Sequence, residues 1–201
     1  MAKLKIYTFP DVILTHKAVP ISRVEKSYFK LADDMLETMY HAPGIGLAAN
    51  QVGILERILV LDTEYDYEEL EEGQEPLPGQ EVVAGGIITG KKPEIIINPE
   101  IIKKEGKITL NEGCLSVPEY NADVVRAEKI KLQYTNIDGL TRTLDAEGLL
   151  AVCIQHEMDH LDGKLFIDRL SPLKKEFARK RLRQDRVLRE EEDRMKLRKR
   201  R

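Results

Sequence analysis

The chain has 201 residues, the size of one ordinary domain and long enough to bury a single core. With 42% hydrophobic and 33% charged residues it has the composition of a folded soluble protein, which excludes a disordered chain. The net charge of −3 conceals a split: residues 171–201 hold 14 Lys and Arg against 6 Asp and Glu, a net of +8, and the preceding 170 hold 18 against 29, a net of −11. The start, MAKLKIYTFPD, lacks the apolar run of a secretory signal. Apolar stretches such as 58–61 and 149–154 fall far short of the ~20 residues of a transmembrane helix. Two cysteines, Cys114 and Cys153, cannot build a disulfide framework and fit a reducing, cytoplasmic compartment.

Residues 10–20 are bracketed by prolines and predict an irregular lead-in. From Ser22, a candidate N-cap, Val24, Tyr28, Leu31, Met35, Leu36 and Met39 recur at helical spacing until Pro43-Gly44 stops the helix. The Gly-rich segment 44–53 follows, then a short strand over 57–61. Residues 64–81 carry eight acidic residues, no basic ones and a Pro-Leu-Pro-Gly break, which predicts a surface insertion. Strands are predicted at 94–98, 101–103, 107–110 and 124–133, with turn signals such as Asn98-Pro99 and Asp138-Gly139 between them. Asp145 is a candidate cap for a helix through Leu149, Val152, Cys153, His156 and His160 that ends near Gly163. Ser171-Pro172 starts a last helix, with Ser at the N-cap and Pro at the first position. No internal repeat and no linker divides the chain.

The sharpest motif is His156-Glu157-Met158-Asp159-His160. HExxH on a helix puts two imidazoles on one face, convergent on one metal ion, with the glutamate between them placed as general base towards an activated water. The apolar run 149–154 makes the helix a buried one, where two histidines without a ligand or partners would be costly. A catalytic site of this type needs three protein ligands and an open position. Gly163 continues a pattern that elsewhere ends in a third histidine, but here that position is Phe166, which cannot ligate. Glu176 and the glutamates at 190–192 are acidic candidates in a tail that reads as solvated. Cys114 lies upstream; a single cysteine is as readily a buried small hydrophobe, the reading taken for Cys153, and spacing does not decide among these candidates. Gly44-x-Gly46-x-x-Ala49 imitates a dinucleotide fingerprint, but it follows a helix rather than a strand and fails that reading.

Three segments together resemble the peptide deformylase family. They are Gly44-Ile45-Gly46-Leu47-Ala48-Ala49-Asn50-Gln51, Glu112-Gly113-Cys114-Leu115-Ser116 and Gln155-His156-Glu157-Met158-Asp159-His160, in family order, with similarity over most of residues 5–175. The resemblance implies a metal-dependent hydrolase that removes the formyl group from formyl-methionyl nascent peptides and releases formate. It implies one divalent metal held by Cys114, His156 and His160, generally Fe2+, with Zn2+, Ni2+ or Co2+ able to occupy the same site. By the same resemblance Glu157 is the general base, and the Gln51 side-chain amide and the Leu115 backbone N–H donate to the oxygen that gains charge in the tetrahedral intermediate. Gly44 and Gly46 are either turn glycines or the place where backbone approaches a peptide closely. Ile45, Leu110, Leu149 and Val152 flank the motifs as candidates for a methionine-sized slot, each equally explicable as core. Glu112 and Arg126 are either an ion pair that braces the second motif or two independent surface charges.

The expected fold is therefore α+β: a single domain with antiparallel or mixed β-sheets packed around a central HExxH helix, plus a C-terminal helix. Residues 1–170 are expected to form the catalytic domain, with an acidic surface insertion over 64–94, and 171–201 a basic helix of the same domain or an extension of it. The insertion is longer than in short family members, and Leu14-Thr15-His16 stands where the family commonly has Leu-Arg. A zinc endopeptidase with an unidentified glutamate ligand and a non-catalytic RNA- or ribosome-binding metalloprotein are the rival readings. The tail reads as a solvated helix, and by resemblance as the element that docks on ribosomal RNA. The expectation is a cytoplasmic monomer without membrane contact. Removal of residues 173–201 is expected to spare hydrolysis of small formyl peptides.

Overall fold

The computed structural model describes residues 3–71 and 74–199; Glu72 of the acidic stretch and the last two arginines of the tail lie outside the described residues. The lead-in is irregular and closes one 3₁₀ turn over Val12–Thr15. Helix α1 spans Lys26–His41 and does not begin at Ser22. The Asn98 side chain accepts from the Ile21 N–H at 2.9 Å and donates to its carbonyl at 2.7 Å, pinning the chain to a strand just before Ser22. The backbone is still extended at Glu25, and only then turns helical.

Strand β1 (Gly46–Ala48) leads through a 3₁₀ turn over Ala49–Val52 to β2 (Ile58–Leu61). The acidic segment folds into a small sheet of its own from β3 (Asp66–Glu69), β4 (Glu81–Val83) and β5 (Gly86–Thr89), in the order β3-β5-β4. Next comes β6 (Glu94–Glu105), which merges two of the expected strands. Asn98-Pro99 is not a turn: Asn98 takes φ +50° and the strand runs on through a bulge between Ile97 and Glu100, one of the few places a strand tolerates proline. Strands β7 (Ile108–Cys114) and β8 (Val117–Arg126) form a hairpin, followed by β9 (Lys129–Thr135) and β10 (Thr141–Glu147). The expected run 124–133 is thus two strands, parted where the Gln155 amide takes both the N–H and the carbonyl of Ala127.

Helix α2 covers Gly148–Leu161, and α3 covers Pro172–Lys199 after a 3₁₀ turn at Phe166–Arg169. Asp145 does not cap α2; it sits in β10 opposite Lys131, and Gly148 at φ +59° turns the chain from strand into helix. The largest sheet has the order β1-β2-β6-β9-β10, with every neighbouring pair antiparallel. Both its faces are covered. Ile58 and Val60 share a core with Met35 and Met39 of α1, while Leu59 and Leu61 share one with Ile154 and Leu161 of α2. That is why β2 is apolar at every position rather than at every second one. Each of these buried aliphatic side chains is worth about 1.5–3 kcal/mol.

A third cluster joins Val117 and Val124 of the β7–β8 hairpin to Phe166, Ile167 and, on α3, Ala178 and Leu182. The first turns of α3 therefore belong to the core. The architecture is a single α+β domain of antiparallel sheets and three α-helices. Among the described residues no helix is long and apolar enough to cross a membrane.

Candidate metal centre and active site

Helix α2 is buried on nearly every side, as its apolar sequence demands, and carries His156 and His160 one turn apart with ring centroids at 5.0 Å. Cys114, at the end of β7, faces them across the hairpin turn. The ligating atoms of Cys114, His156 and His160 all lie within 4.8 Å of one another, with Cys114 Sγ 3.2 Å from His160 Nε2. His156 Nδ1 donates to Glu112 at 2.8 Å, which leaves its Nε2 for the centre. The Ser116 N–H donates to Cys114 Sγ at 3.4 Å and ties the turn to the sulfur. Phe166, which cannot ligate, instead stacks on the His156 ring at 5.9 Å. Gly163 serves packing, since a Cβ there would stand 2.4 Å from the Thr15 carbonyl oxygen.

Glu157 is buried, and β1 crosses its carboxylate so closely that a Cβ on Gly46 would sit 2.5 Å from Oε1. Its other oxygen, Oε2, is buried without a hydrogen-bond partner. Burial pushes the Glu157 carboxyl up to about 7, with the charges of His156 and Arg126 pulling the other way. Burial holds His160 well below its ordinary value. The donor set suits one divalent cation: a sulfur, two imidazole nitrogens and, beside them, an orphaned carboxylate oxygen.

Gln51 sits in the 3₁₀ turn after β1. Its Oε1 accepts from the Ala48 N–H at 2.8 Å, so its Nε2 points to Ser116 Oγ at 3.1 Å and to Cys114 Sγ at 3.6 Å. Leu115 is the next residue after Cys114, and its side chain lies against Gly44, where a Cβ would meet it at 2.8 Å.

Behind the histidines lies a chain of buried charges that the sequence reading left half seen. Arg126 binds Glu112 through Nε and, at 2.9 Å, through a terminal nitrogen, and reaches Asp159 at 2.8 Å. Arg169, itself exposed, closes the row from the surface on Asp159 at 2.9 Å. The pairing of Glu112 with Arg126 thus holds, both being almost fully buried. Asp159 and Arg169 were not singled out, although Asp159 stands three residues from His156 and so on the same helical face.

These parts surround a cleft of about 400 Å³. Gly44, Ile45, Gly46, Gln51, Leu110, Cys114, Leu115, Leu149, Val152, His156 and Glu157 all line it, and His160 lies behind at 1% exposure. Cys153, read as a plain core residue, is buried in the core and also lines the cleft. Glu176, Glu190 and Glu191 are exposed on α3, away from the cleft lining, which removes them as candidate ligands; the side chain of Glu192 lies outside the described residues.

The sequence profile of the polypeptide deformylase family matches residues 3–176. The chain is 47% identical to peptide deformylase 2 of Xanthomonas axonopodis pv. citri over 187 residues, covering 90% of this chain and 95% of that one. It is 48% identical to the peptide deformylase of Xylella fastidiosa strain M12, covering 92% and 98%. Among solved structures, the peptide deformylase of Ehrlichia chaffeensis superposes with a TM-score of 0.76 at 38% identity, over 93% of this chain and 98% of that one. With its three motifs gathered around one cleft, the chain belongs to the polypeptide deformylase family.

Proposed function

We propose that this enzyme hydrolyses the formyl group from formyl-methionyl peptides, releasing formate. The observation that carries the reading is the meeting of Cys114, His156 and His160 beside a buried carboxylate with one unpartnered oxygen. Cys114, His156 and His160 would hold the metal, which supplies a lowered pKa to water and a positive charge beside the reacting carbonyl. Fe2+ is the ion we assign, on family resemblance; the donor set suits Zn2+, Ni2+ and Co2+ as well.

Glu157 takes a proton from the attacking water, whose oxygen bonds to the formyl carbon. Burial raises the pKa of its carboxyl, which favours its keeping that proton until it is given back. The Gln51 amide and the Leu115 N–H donate to the carbonyl oxygen as it gains charge, each such donor being worth about 10²–10³ in rate. When the C–N bond breaks, Glu157 returns the proton to the amine and formate leaves. Glu112 holds the His156 ring in its ligating tautomer, and Arg126 and Asp159 hold Glu112 in turn.

The methionine side chain is assigned to the apolar wall of Ile45, Leu110, Leu149 and Val152; Ile45 and Leu149, 39% and 48% exposed, present apolar surface to the cleft. Strand β1 is the end of its sheet, so a peptide can add along its open edge at Gly46, with Gly44 leading into that edge. On this reading α2 is the central element of a catalytic domain over 1–170, the segment 64–94 is an insertion, and 171–201 is a basic helix. That helix presents Lys174, Lys180 and Arg183 outward, a pattern suited to phosphates of ribosomal RNA, and we place the enzyme in the cytoplasm as a monomer.

The test is formate release from formyl-Met-Ala-Ser by anaerobically prepared, Fe2+-loaded protein. Activity on internal peptide bonds instead would point to an endopeptidase. Cys114→Ser should lose both metal and activity, together with the rise in Tm that metal gives the wild type; full retention of metal and activity would refute the assignment.

A further inference from the structure

We propose that the acidic insertion braces the peptide-binding edge of the cleft, and that Tyr65 at its root is a positioning residue for the peptide substrate. The inference rests on the deformylase reading above. Tyr65 donates its hydroxyl to the Gly44 carbonyl at 3.1 Å, reaching from the insertion to the backbone that lines the cleft. Its ring meets Tyr40 edge-on at 5.2 Å, and Lys91, from the other end of the insertion, stands over the far partner of that pair, 4.6 Å from the Tyr40 ring.

The root is gathered by one buried carboxylate. Asp62, 0% exposed, accepts from the Tyr40 hydroxyl at 2.7 Å, from the Glu64 N–H at 3.0 Å and from the Lys92 N–H at 2.7 Å. Its own N–H donates to the Ile45 carbonyl at 2.9 Å. Both ends of the insertion and the Ile45 carbonyl are therefore held at Asp62, and the Gly44 carbonyl beside it is held by Tyr65. On its other side Gly44 rests against Leu115, so movement of this segment shifts the edge relative to the residue whose N–H faces the reacting oxygen. The insertion thus holds in place, through a single hydroxyl, the backbone on which an extended peptide must lie. Loss of that hydroxyl loosens binding of the peptide and leaves Glu157 and the ligands untouched.

The experiment compares Tyr65→Phe with Tyr67→Phe. Tyr67 is the control, because its hydroxyl serves the Ala84 carbonyl within the insertion. For Tyr65→Phe, KM for formyl-Met-Ala-Ser should rise about five-fold, the worth of one hydrogen bond, with kcat and Tm little changed. Amide exchange at residues 44–47 should quicken in the same variant. Tyr67→Phe should alter neither. An unchanged KM in Tyr65→Phe, equal effects of the two variants, or a fall in kcat that tracks a fall in Tm would each overturn the proposal. If the wild type fails to release formate while exchange at 44–47 still responds to Tyr65→Phe, the brace stands and the deformylase reading falls.

Discussion

What sets the Glu157 carboxylate apart is what lies against it. The glycine at position 46 allows β1 to pass over the carboxylate, and burial on all sides raises its pKa. Glu157→Gln keeps the volume and removes the proton carrier. We expect metal content unchanged and kcat lower by about 10²–10⁴-fold, measured by metal analysis and formate release on the same preparation. The motif residues were readable from spacing and resemblance because they are contiguous. Tyr65, Asp159 and Arg169 were not, because their partners lie 21, 33 and 10 residues away and the contact exists only in the fold.

At the scale of elements, two boundaries moved because a contact distant in sequence overrode a local signal. The Asn98 side chain holds Ile21 and delays α1; the backbone ladder of β10 with β9 runs on through Ala146 and Glu147, past the expected cap. The junction of the 3₁₀ turn with α3 shows the reverse, charges placed where they brace an element. Asp168 accepts from the Leu165 N–H at 3.0 Å and pairs with Lys175 at 2.8 Å and Arg179 at 2.7 Å. Burial raises its pKa, but Lys175, the Leu165 N–H and Arg179 outweigh burial and hold the carboxyl below the ordinary range. A depressed folded-state pKa means the stabilisation is complete above the unfolded value and is lost as pH falls through the folded one. Asp168→Asn should therefore cost about 1.5–3 kcal/mol near pH 7, and the gap to wild type should close in acid. Denaturant titrations at several pH values measure it; a gap independent of pH would contradict this account.

For the whole molecule, the charge split of the chain separates two surfaces. The acidic body contains the cleft, while α3 is anchored by Ala178 and Leu182 and by Arg186, which reaches Thr8 and Asp11 of the lead-in. Removing residues 173–201 would strip Ala178 and Leu182 from the core, so the cleaner probe is the outward face. Replacing Lys174, Lys180 and Arg183 with Gln should leave hydrolysis of small formyl peptides intact and flatten the salt dependence of ribosome binding by about 0.7–0.9 per lost phosphate contact. Binding with an unaltered salt slope would remove α3 from that role. Length, charge and three short motifs were enough to identify the family, because each motif is a contiguous run whose residue types and local spacing are written in the chain itself. Only the tertiary structure decided how those residues are held. It set Glu112 on His156 and Arg126 between two carboxylates, and it tied the acidic insertion to the cleft through Tyr65. Such contacts join residues far apart in the chain, and a buried charge or hydroxyl shows its partner only once the water around it has been excluded.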